Sequence, residues 1–328
     1  MKDRSPYSAR LPADASRDHL MLQVAKSYFE LDRTQAEIAA DLGLTRWQVA
    51  RLLSEARSEG VVRIEITPRT RRDPRAEVAL AARFGLEEAI VVPMGAAVDD
   101  ATLAEGVAQA AAQWLAALTP KPALIGVSWG RSMAALARAL PQGWAPGLEV
   151  VLVNGAAALQ VTDPRISSVA EDIAARAGGQ ASLLPVPAIL GQPATRAALE
   201  SDPVIARVLA RAAAAPLLAF GLGAIGHGSV LHTSGYLSRA ELDTLQAHGA
   251  VGDLLGRFLT ADGRIADPAL DARTLGLPLA ALQGKRTLCL VSGAAKHAIT
   301  AAALRAGLIS VLVTDAATAD FLLERPNV

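Results

Sequence analysis

After residue 75, short apolar runs alternate with alanine-rich segments, and few protein folds accommodate this pattern. The apolar runs predict strands at 89–93, 123–128, 150–154, 182–186, 217–221, 287–292 and 309–314. Most gaps between them have helical character, such as 103–118, 133–140, 204–214, 298–306 and 317–323. Strands that are apolar on both faces and separated by helices are typical of a mostly parallel, doubly covered sheet. The sequence therefore predicts an α/β fold for residues 75–328.

A different pattern in residues 34–59 predicts two short helices joined by a tight turn. Apolar residues at helical spacing define one face of each helix: Ile38, Ala39 and Leu42, then Val49, Leu52 and Leu53. Gly43 suits a left-handed turn, and Thr45 can cap the second helix. This combination is typical of a helix-turn-helix motif, whose second helix enters the DNA major groove. An ordinary helical hairpin with a solvated basic face is the alternative.

The polar face of the second predicted helix carries side chains suited to DNA. Arginine reads guanine edges or binds phosphate, glutamine reads adenine, and serine or threonine binds either. Trp47 could pack on the sugar-phosphate backbone or cover the first helix. The predicted contacts to operator DNA are Thr34, Gln35, Thr45, Arg46, Trp47, Gln48, Arg51 and Ser54.

The flanking segments predict a two-domain organisation. A helical stripe in 18–31 would support the motif, and 61–66 partly alternates like a short strand or wing. The run TPRTRRDP at 67–74 has the composition of a linker. The predicted order is a disordered tail at 1–16, a winged-helix-like helix-turn-helix domain at 17–66, a linker at 67–74 and an effector-binding domain at 75–328.

Composition limits the class of protein. The chain is neutral overall, but residues 1–75 carry 14 Lys and Arg against 11 Asp and Glu, so the basic excess lies with the predicted DNA-binding motif. Although 52% of the residues are hydrophobic, no apolar run approaches the ~18–20 residues of a membrane span. The only cysteine, Cys289, lies in a predicted strand. We expect a cytoplasmic protein without membrane contact, metal site or cofactor.

The strongest candidate for small-molecule binding lies where the second predicted strand runs into a helix. In this class of fold, ligands bind beyond the carboxyl ends of the strands. Gly126 and Gly130 permit close approach of a ligand to the backbone. Ser128 and Ser132 offer hydroxyls, and Arg131 offers a charge next to free N–H groups of the helix. These residues suit a phosphate or a polyol, but a structural turn with Arg131 paired to a surface acid is an equal alternative.

Other strand ends follow the same logic. Asn154 and Gly155 end the next strand, and the glycine-rich segment 220–229 ends another. Lys296 lies near a helix amino terminus, where its charge is unfavourable unless an anion is present. A lysine that extends to solvent is the alternative for that position.

The segment around 253–265 adds further candidates. Asp253 is a candidate acceptor for sugar hydroxyls. A hairpin is predicted over 258–265, with Asp262 and Gly263 at its turn. Arg257 could face the ligand or brace this loop.

With these stretches in hand, the chain resembles the SorC family of bacterial sugar-responsive transcriptional regulators over about residues 18–325. Any one motif alone is weak evidence, but their order and spacing together are specific. The motifs that carry the resemblance are TQAEIAADLGLTRWQVARLLSEARSEGVV, GVSWGRSM, VNG, GLGAIGHGS with the later GYL, GDLLGRF with ADGRI, and SGAAKHAITAAALRAGLISVLVTD. The family usually has two glycines before the lysine of the last motif, and this chain has Ser292 and Gly293.

The resemblance implies an effector domain similar in fold to ribose-5-phosphate isomerase and glucosamine-6-phosphate deaminase. It also implies tetramers on operator DNA and control by a sugar, polyol or sugar phosphate. Carried over by motif, the phosphate-type loop falls on Ser128, Trp129, Gly130, Arg131 and Ser132, and the other ligand positions fall on Asn154, Gly221, Gly223, Asp253 and Lys296.

Two other functions compete with this prediction. A sugar-phosphate isomerase or deaminase with an appended helical domain could use the same sheet, although no clear pair of general bases is present. A structural DNA-associated protein with an unused pocket is the weaker alternative.

Overall fold

The computed structural model describes residues 14–62, 72–94, 98–156 and 168–324. The chain divides into two compact units, Met1–Pro68 and Arg69–Val328. In the described ranges, no helix combines the length and apolar character needed to cross a bilayer.

The first unit consists of three helices around one small core. They are α1 (Asp14–Phe29), α2 (Gln35–Leu42) and α3 (Arg46–Ser58). The core side chains come from all three helices and are Met21, Val24, Ala25, Ile38, Ala39, Val49, Leu52, Leu53 and Ala56. The apolar faces that the sequence predicts for α2 and α3 therefore pack against each other and against α1.

The turn between α2 and α3 has the predicted chemistry. Gly43 is left-handed (φ 64°, ψ 31°), and its N–H donates to the carbonyl of Ala39, which ends α2. Thr45 caps α3, because its hydroxyl oxygen accepts from the Gln48 N–H at 3.2 Å. Thr34 caps α2 in the same way through Glu37. Helices α2 and α3 therefore both begin with a capping box, which fixes the residue at which each helix starts.

Two predicted boundaries of this region differ from the structure. Helix α1 begins at Asp14, inside the predicted tail 1–16; the last proline before it is Pro12, so nothing in 14–17 opposes a helix. The predicted linker 67–74 overlaps the next helix, since Asp73 caps a helix that begins at Pro74. Residues 1–13 of the tail, residues 67–71 of the linker and most of the predicted wing at 61–66 lie outside the described residues.

The second unit contains a large sheet. Its strands are β1 (Glu88–Val92), β2 (Leu124–Val127), β3 (Glu149–Leu152), β4 (Gln180–Ser182), β5 (Leu217–Ala224), β6 (Ala250–Leu254), β7 (Arg257–Thr260), β8 (Arg286–Leu290) and β9 (Val311–Asp315). Seven of them form one parallel series in the order β1-β9-β8-β5-β2-β3-β4. Antiparallel β6 joins the end of β5 and continues through a hairpin into β7. The predicted mostly parallel sheet is confirmed.

Helices cover both faces of this sheet. The α-helices described in this unit are α4 (Pro74–Phe84), α5 (Asp100–Ala117), α6 (Arg131–Ala139), α7 (Val169–Ala177), α8 (Pro193–Ser201), α9 (Pro203–Ala214), α10 (Val230–Thr233), α11 (Arg239–Ala247), α12 (Pro268–Asp271), α13 (His297–Arg305) and α14 (Ala316–Glu324). Helices α5, α6 and α7 enclose one apolar core with Ile125 and Val127. Helices α4, α13 and α14 enclose the other core with Phe220 and Cys289. Alternate residues of each strand thus serve opposite cores, which explains the continuous apolar runs.

The structure corrects one local prediction in this unit, adds one hairpin and confirms another. The strand predicted at 182–186 is instead the short edge strand β4, because Pro185 and Pro187 lack the N–H that a ladder needs. The main hairpin connects β6 to β7 through Leu255 and Gly256, both left-handed (φ 56° and 81°). The hairpin predicted over 258–265, with its turn at Asp262 and Gly263, is confirmed: Leu259 pairs antiparallel with Ile265, and the Thr260 N–H donates to the Arg264 carbonyl at 2.8 Å.

Candidate effector cavity and DNA-binding helix

A cavity of about 720 Å³ opens at the carboxyl edge of the sheet, where β2, β3, β5 and β8 end. Most of the residues that the sequence predicts for the effector lie in its wall. These are Ser128, Trp129, Gly130, Arg131, Ser132, Asn154, Gly221, Gly223, Asp253 and Lys296. The parallel order of the strands explains this convergence, since their carboxyl ends meet at one edge.

The amino terminus of α6 forms one side of the cavity. Gly130 precedes α6 with φ 125° and ψ 170°, a conformation that L side chains rarely adopt, and no side chain among the described residues caps the helix. The first N–H groups of α6 therefore remain available next to Arg131 and Ser132. Such a helix end favours an anion or a hydroxyl acceptor.

Two buried polar groups in the wall have no hydrogen-bond partner in the part of the chain that the structure describes. Ser128 and Asn154 are each 3% exposed, yet the Ser128 hydroxyl and the Asn154 side-chain oxygen make no hydrogen bond with the described residues. Buried polar atoms are normally satisfied, and leaving one unpaired costs about 1–3 kcal/mol. Both residues line the cavity.

Asp253 lies opposite Gly223 in the β5–β6 pair. A β-carbon at position 223 would lie 1.8 Å from one Asp253 carboxylate oxygen, so only glycine leaves room for this carboxyl group. The other oxygen accepts a 3.0 Å hydrogen bond from the Gly256 N–H of the hairpin turn. Burial raises the pKa of Asp253 to about 6, although Lys296 opposes the shift. Asp253 can therefore change its charge near neutral pH.

Lys296 closes the cavity from the start of α13. Its ammonium group donates to the Ser132 hydroxyl at 3.3 Å, which links α13 to the amino terminus of α6. Burial lowers the pKa of Lys296, and the nearby Arg131 lowers it further, while the acids Asp253 and Asp100 act in the opposite direction. The predicted position near a helix start is confirmed, and the ammonium group points inward rather than to solvent.

Trp129 is held in one orientation by two contacts. Its indole N–H donates to the Gly155 carbonyl at 2.7 Å, and its ring centroid lies 6.1 Å from that of Tyr236. An aromatic side chain fixed in this way presents a rigid surface to the cavity.

Three predicted effector residues do not line this cavity. Arg257 is 2% exposed, pairs with Asp271 and donates to the carbonyls of Thr274, Gly276 and Leu277. It braces the loop, as the alternative for this residue supposed, and does not line the cavity.

The other two are glycines with a packing role. A β-carbon at Gly126 would lie 2.5 Å from Leu218 Cδ2 on the neighbouring strand, so this glycine serves the sheet. At Gly155 a β-carbon would lie 2.5 Å from the Val186 carbonyl oxygen. Gly155 affects the site only indirectly, through its hydrogen bond from Trp129.

Sequence reasoning also missed part of the cavity wall. Asp100 and Glu105 of α5 line it, as do Leu255 and Gly256 of the hairpin turn. The two acids were predictable from the sequence, because α5 follows β1 and β1 ends at the same edge of the sheet. The turn residues could not, since nothing local shows that β6 pairs with the end of β5. Among the described residues, no group of His, Cys, Asp or Glu is arranged to hold a metal ion.

The environment of Asp253 predicts a pH-dependent stability. Its folded pKa of about 6 exceeds the ordinary 3.8, so protonation of Asp253 stabilises the fold below pH 3.8 and this contribution is lost as pH rises through about 6. Asp253→Asn removes the titration. We expect its melting temperature, measured relative to the parent, to increase between pH 5 and pH 7. A difference that stays constant over this interval would contradict the assignment.

On the first unit, α3 presents the predicted DNA-facing residues to solvent. Arg46, Arg51 and Ser54 are exposed, and Trp47 is 69% exposed, so Trp47 does not cover α2. Thr34, Thr45 and Gln48 take part in the helix caps, and the Gln48 side-chain oxygen accepts from the Thr45 N–H at 2.8 Å. Gln35 at the start of α2 is half-buried. The most accessible candidates are thus on α3.

Comparison with known proteins identifies the family. A family model described as "Putative sugar-binding domain" matches residues 69–324, which is most of the chain. The curated transcriptional regulator LsrR of Klebsiella pneumoniae is 30% identical over 94% of this chain and 94% of its own length. The chain belongs to the SorC family of sugar-binding transcriptional regulators.

Full-length members of the SorC family show that the similarity extends over both units. The sorbitol operon regulator of Klebsiella pneumoniae is 28% identical over 93% of this chain and 98% of its own length. The crystal structure of this regulator gives a TM-score of 0.71 and covers 95% of this chain and 100% of that one. The erythritol catabolism regulatory protein of Brucella abortus is 28% identical over 96% of this chain. These relatives are regulators, which supports a regulator and not an isomerase or deaminase.

Proposed function

We propose that this chain is a DNA-binding transcriptional regulator of a carbohydrate or polyol catabolic operon. The cavity at the edge of the sheet takes the effector, and α3 binds the operator. The observation that carries the proposal is the cavity itself: it combines unpaired buried Ser128 and Asn154, an uncapped helix end and an inward-pointing Lys296. This set of donors and acceptors suits a sugar, a polyol or a sugar phosphate.

The relatives support the chemical class of the effector. Curated members of similar length are named for sorbitol, erythritol and deoxyribonucleosides. We infer that this chain also acts on DNA in the bacterial cytoplasm as a homo-oligomer, as a tetramer by family resemblance. Effector binding would shift the population of oligomer arrangements and so change operator affinity.

A thermal-shift screen tests the effector proposal directly. Polyols, aldoses, ketoses and their phosphates are added separately to the full-length protein. We expect one structural class to raise the melting temperature in a saturable way, because a ligand that binds only the folded state stabilises it by mass action. The same compound should change operator binding at the concentrations that saturate the thermal shift. If no compound of these classes stabilises the protein, the effector proposal fails.

The DNA-binding role of α3 gives a separate prediction. The double variant Arg46→Ala/Arg51→Ala should weaken operator binding by about 10-fold or more, because each arginine contributes a base or phosphate contact. Binding is measured by gel-shift titration at fixed salt, with the DNA obtained by selection on the parent protein. Effector-induced thermal stabilisation should be unchanged.

A matched control separates this effect from net charge. Arg207→Ala/Arg264→Ala removes the same charge from exposed positions on the second unit, and Arg264, like Arg51, has an acidic partner. The control should bind DNA like the parent. If both double variants bound DNA equally well, α3 would not be the DNA-binding helix.

A further inference from the structure

The outer face of α3 carries three side chains in one row. Trp47, Arg51 and Glu55 are spaced four residues apart, so they follow one another along the same side of the helix. Arg51 Nε donates to Glu55 Oε1 at 2.9 Å. The Arg51 guanidinium carbon lies 5.7 Å from the centroid of the Trp47 ring. The guanidinium is therefore held from both sides, by a carboxylate and by an aromatic face.

The carboxylate that holds Arg51 is itself fixed from behind. Arg17 of α1 donates to the second Glu55 oxygen at 2.7 Å. The Glu55 side chain is 19% exposed, whereas that of Arg51 is 50% exposed. Hydrogen bonds from Arg17 and Arg51 lower the pKa of Glu55, so it stays charged at neutral pH. The contacts thus run from Arg17 of α1 through Glu55 to Arg51, whose side chain is half exposed to solvent.

The contacts of Arg51 leave its terminal nitrogens available. Glu55 takes only Nε, and Nη1 and Nη2 make no hydrogen bond or ion pair with the described residues. Ser54, three residues further along the helix, is small and exposed, and the Arg51 side chain is itself 50% exposed. Two parallel N–H donors match the O6 and N7 acceptors of guanine in the major groove.

We propose that Arg51 reads a guanine of the operator, and that Glu55 and Trp47 are its positioning residues. This assignment rests on the proposed DNA-binding role of α3 and specifies what α3 recognises. A phosphate contact would use the same charge, but it would not need the orientation of the guanidinium to be fixed from two sides. A base edge requires that fixed orientation, because only one approach satisfies both acceptors.

The experiment selects sites from a randomised duplex pool with the full-length parent protein and then compares variants on the selected sites. The parent should enrich a guanine at one position for each bound α3. Arg51→Ala should lose discrimination at that position by about 5- to 150-fold, with the other positions unchanged. Arg51→Lys should lose most of it, because an ammonium group lacks the two-pronged geometry.

Two further variants test the positioning residues. Glu55→Gln removes the charge behind Arg51 and should reduce discrimination at the same guanine only, while Trp47→Phe keeps an aromatic face and should retain more of it than Trp47→Ala. Arg57→Ala is the matched control, since Arg57 also lies over an aromatic ring, that of Phe29, but in the last turn of α3. Its base preferences should equal those of the parent. Melting curves confirm that each variant is folded.

The outcomes separate this assignment from the proposed function. Arg51→Ala could instead lose affinity equally for all sequences, and the slope of its log affinity against log salt concentration could fall by about one. That result would mean a phosphate contact and would overturn the assignment. An enriched site whose base preferences do not depend on Arg51 would also overturn it and leave the DNA-binding role intact. Absence of any enriched sequence would overturn both.

Discussion

Replacing Arg257 by methionine should lower the free energy of unfolding of the second unit by about 3–5 kcal/mol. The substitution leaves four backbone carbonyls, those of Asp271, Thr274, Gly276 and Leu277, without this donor, and it leaves the Asp271 carboxylate without its ion pair. Arg257 is almost fully buried, so water cannot easily replace these bonds. Chemical denaturation of the full-length variant measures the loss.

A nearby arginine provides the control for this prediction. Arg264 pairs with Asp262, but its side chain is 83% exposed, and exposed ion pairs contribute at most about 1 kcal/mol. Arg264→Met should therefore change the free energy of unfolding little. Similar losses in both variants would mean that the buried network contributes no more than an ordinary surface pair.

Replacing Lys296 by methionine should weaken effector binding by about 10- to 100-fold and should not lower the stability of the unliganded protein. The binding loss follows because a ligand oxygen would lose a charge-assisted hydrogen bond inside the cavity. The unliganded variant should keep its stability because the pKa of Lys296 is lowered in the folded protein. Burial makes the folded protein hold this charge less readily than the unfolded chain does, so charged Lys296 costs stability below its folded pKa.

Thermal melting with and without the stabilising compound gives both quantities in one experiment. Lys121→Met is the matched control, because Lys121 is exposed on the same unit and does not line the cavity. The control should retain the full effector-induced shift. A Lys296→Met variant that melts lower than the parent but keeps the shift would contradict both parts of the prediction.

Much of the fold was predictable because its signals are local. Apolar runs and alanine-rich segments set the strands and helices, and Gly43 with Thr45 set the turn between α2 and α3. The cavity wall was predictable for a different reason: parallel strands bring their carboxyl ends to one edge, so polar residues that follow them must meet. Ser128, Asn154 and Lys296 were found in this way.

The errors concern contacts between segments far apart in sequence. Arg257 looked like a ligand contact because it is a cation close to Asp253, but its partners lie 14 to 20 residues away at 271–277. The hairpin between β6 and β7 was missed, because pairing between β5 and β6 decides its position. Leu255 carries no turn signal, although it adopts a left-handed conformation there.

The unpaired hydroxyl of Ser128 and amide oxygen of Asn154 have a consequence for selectivity. A site that binds each hydroxyl of a sugar through a buried partner rejects an epimer that leaves this partner bare, and such discrimination can reach about 10⁴-fold. Net charge could not provide this selectivity, since epimers carry the same charge. If the effector bonds to both groups, its stereochemistry at two carbons would decide which compound the protein responds to.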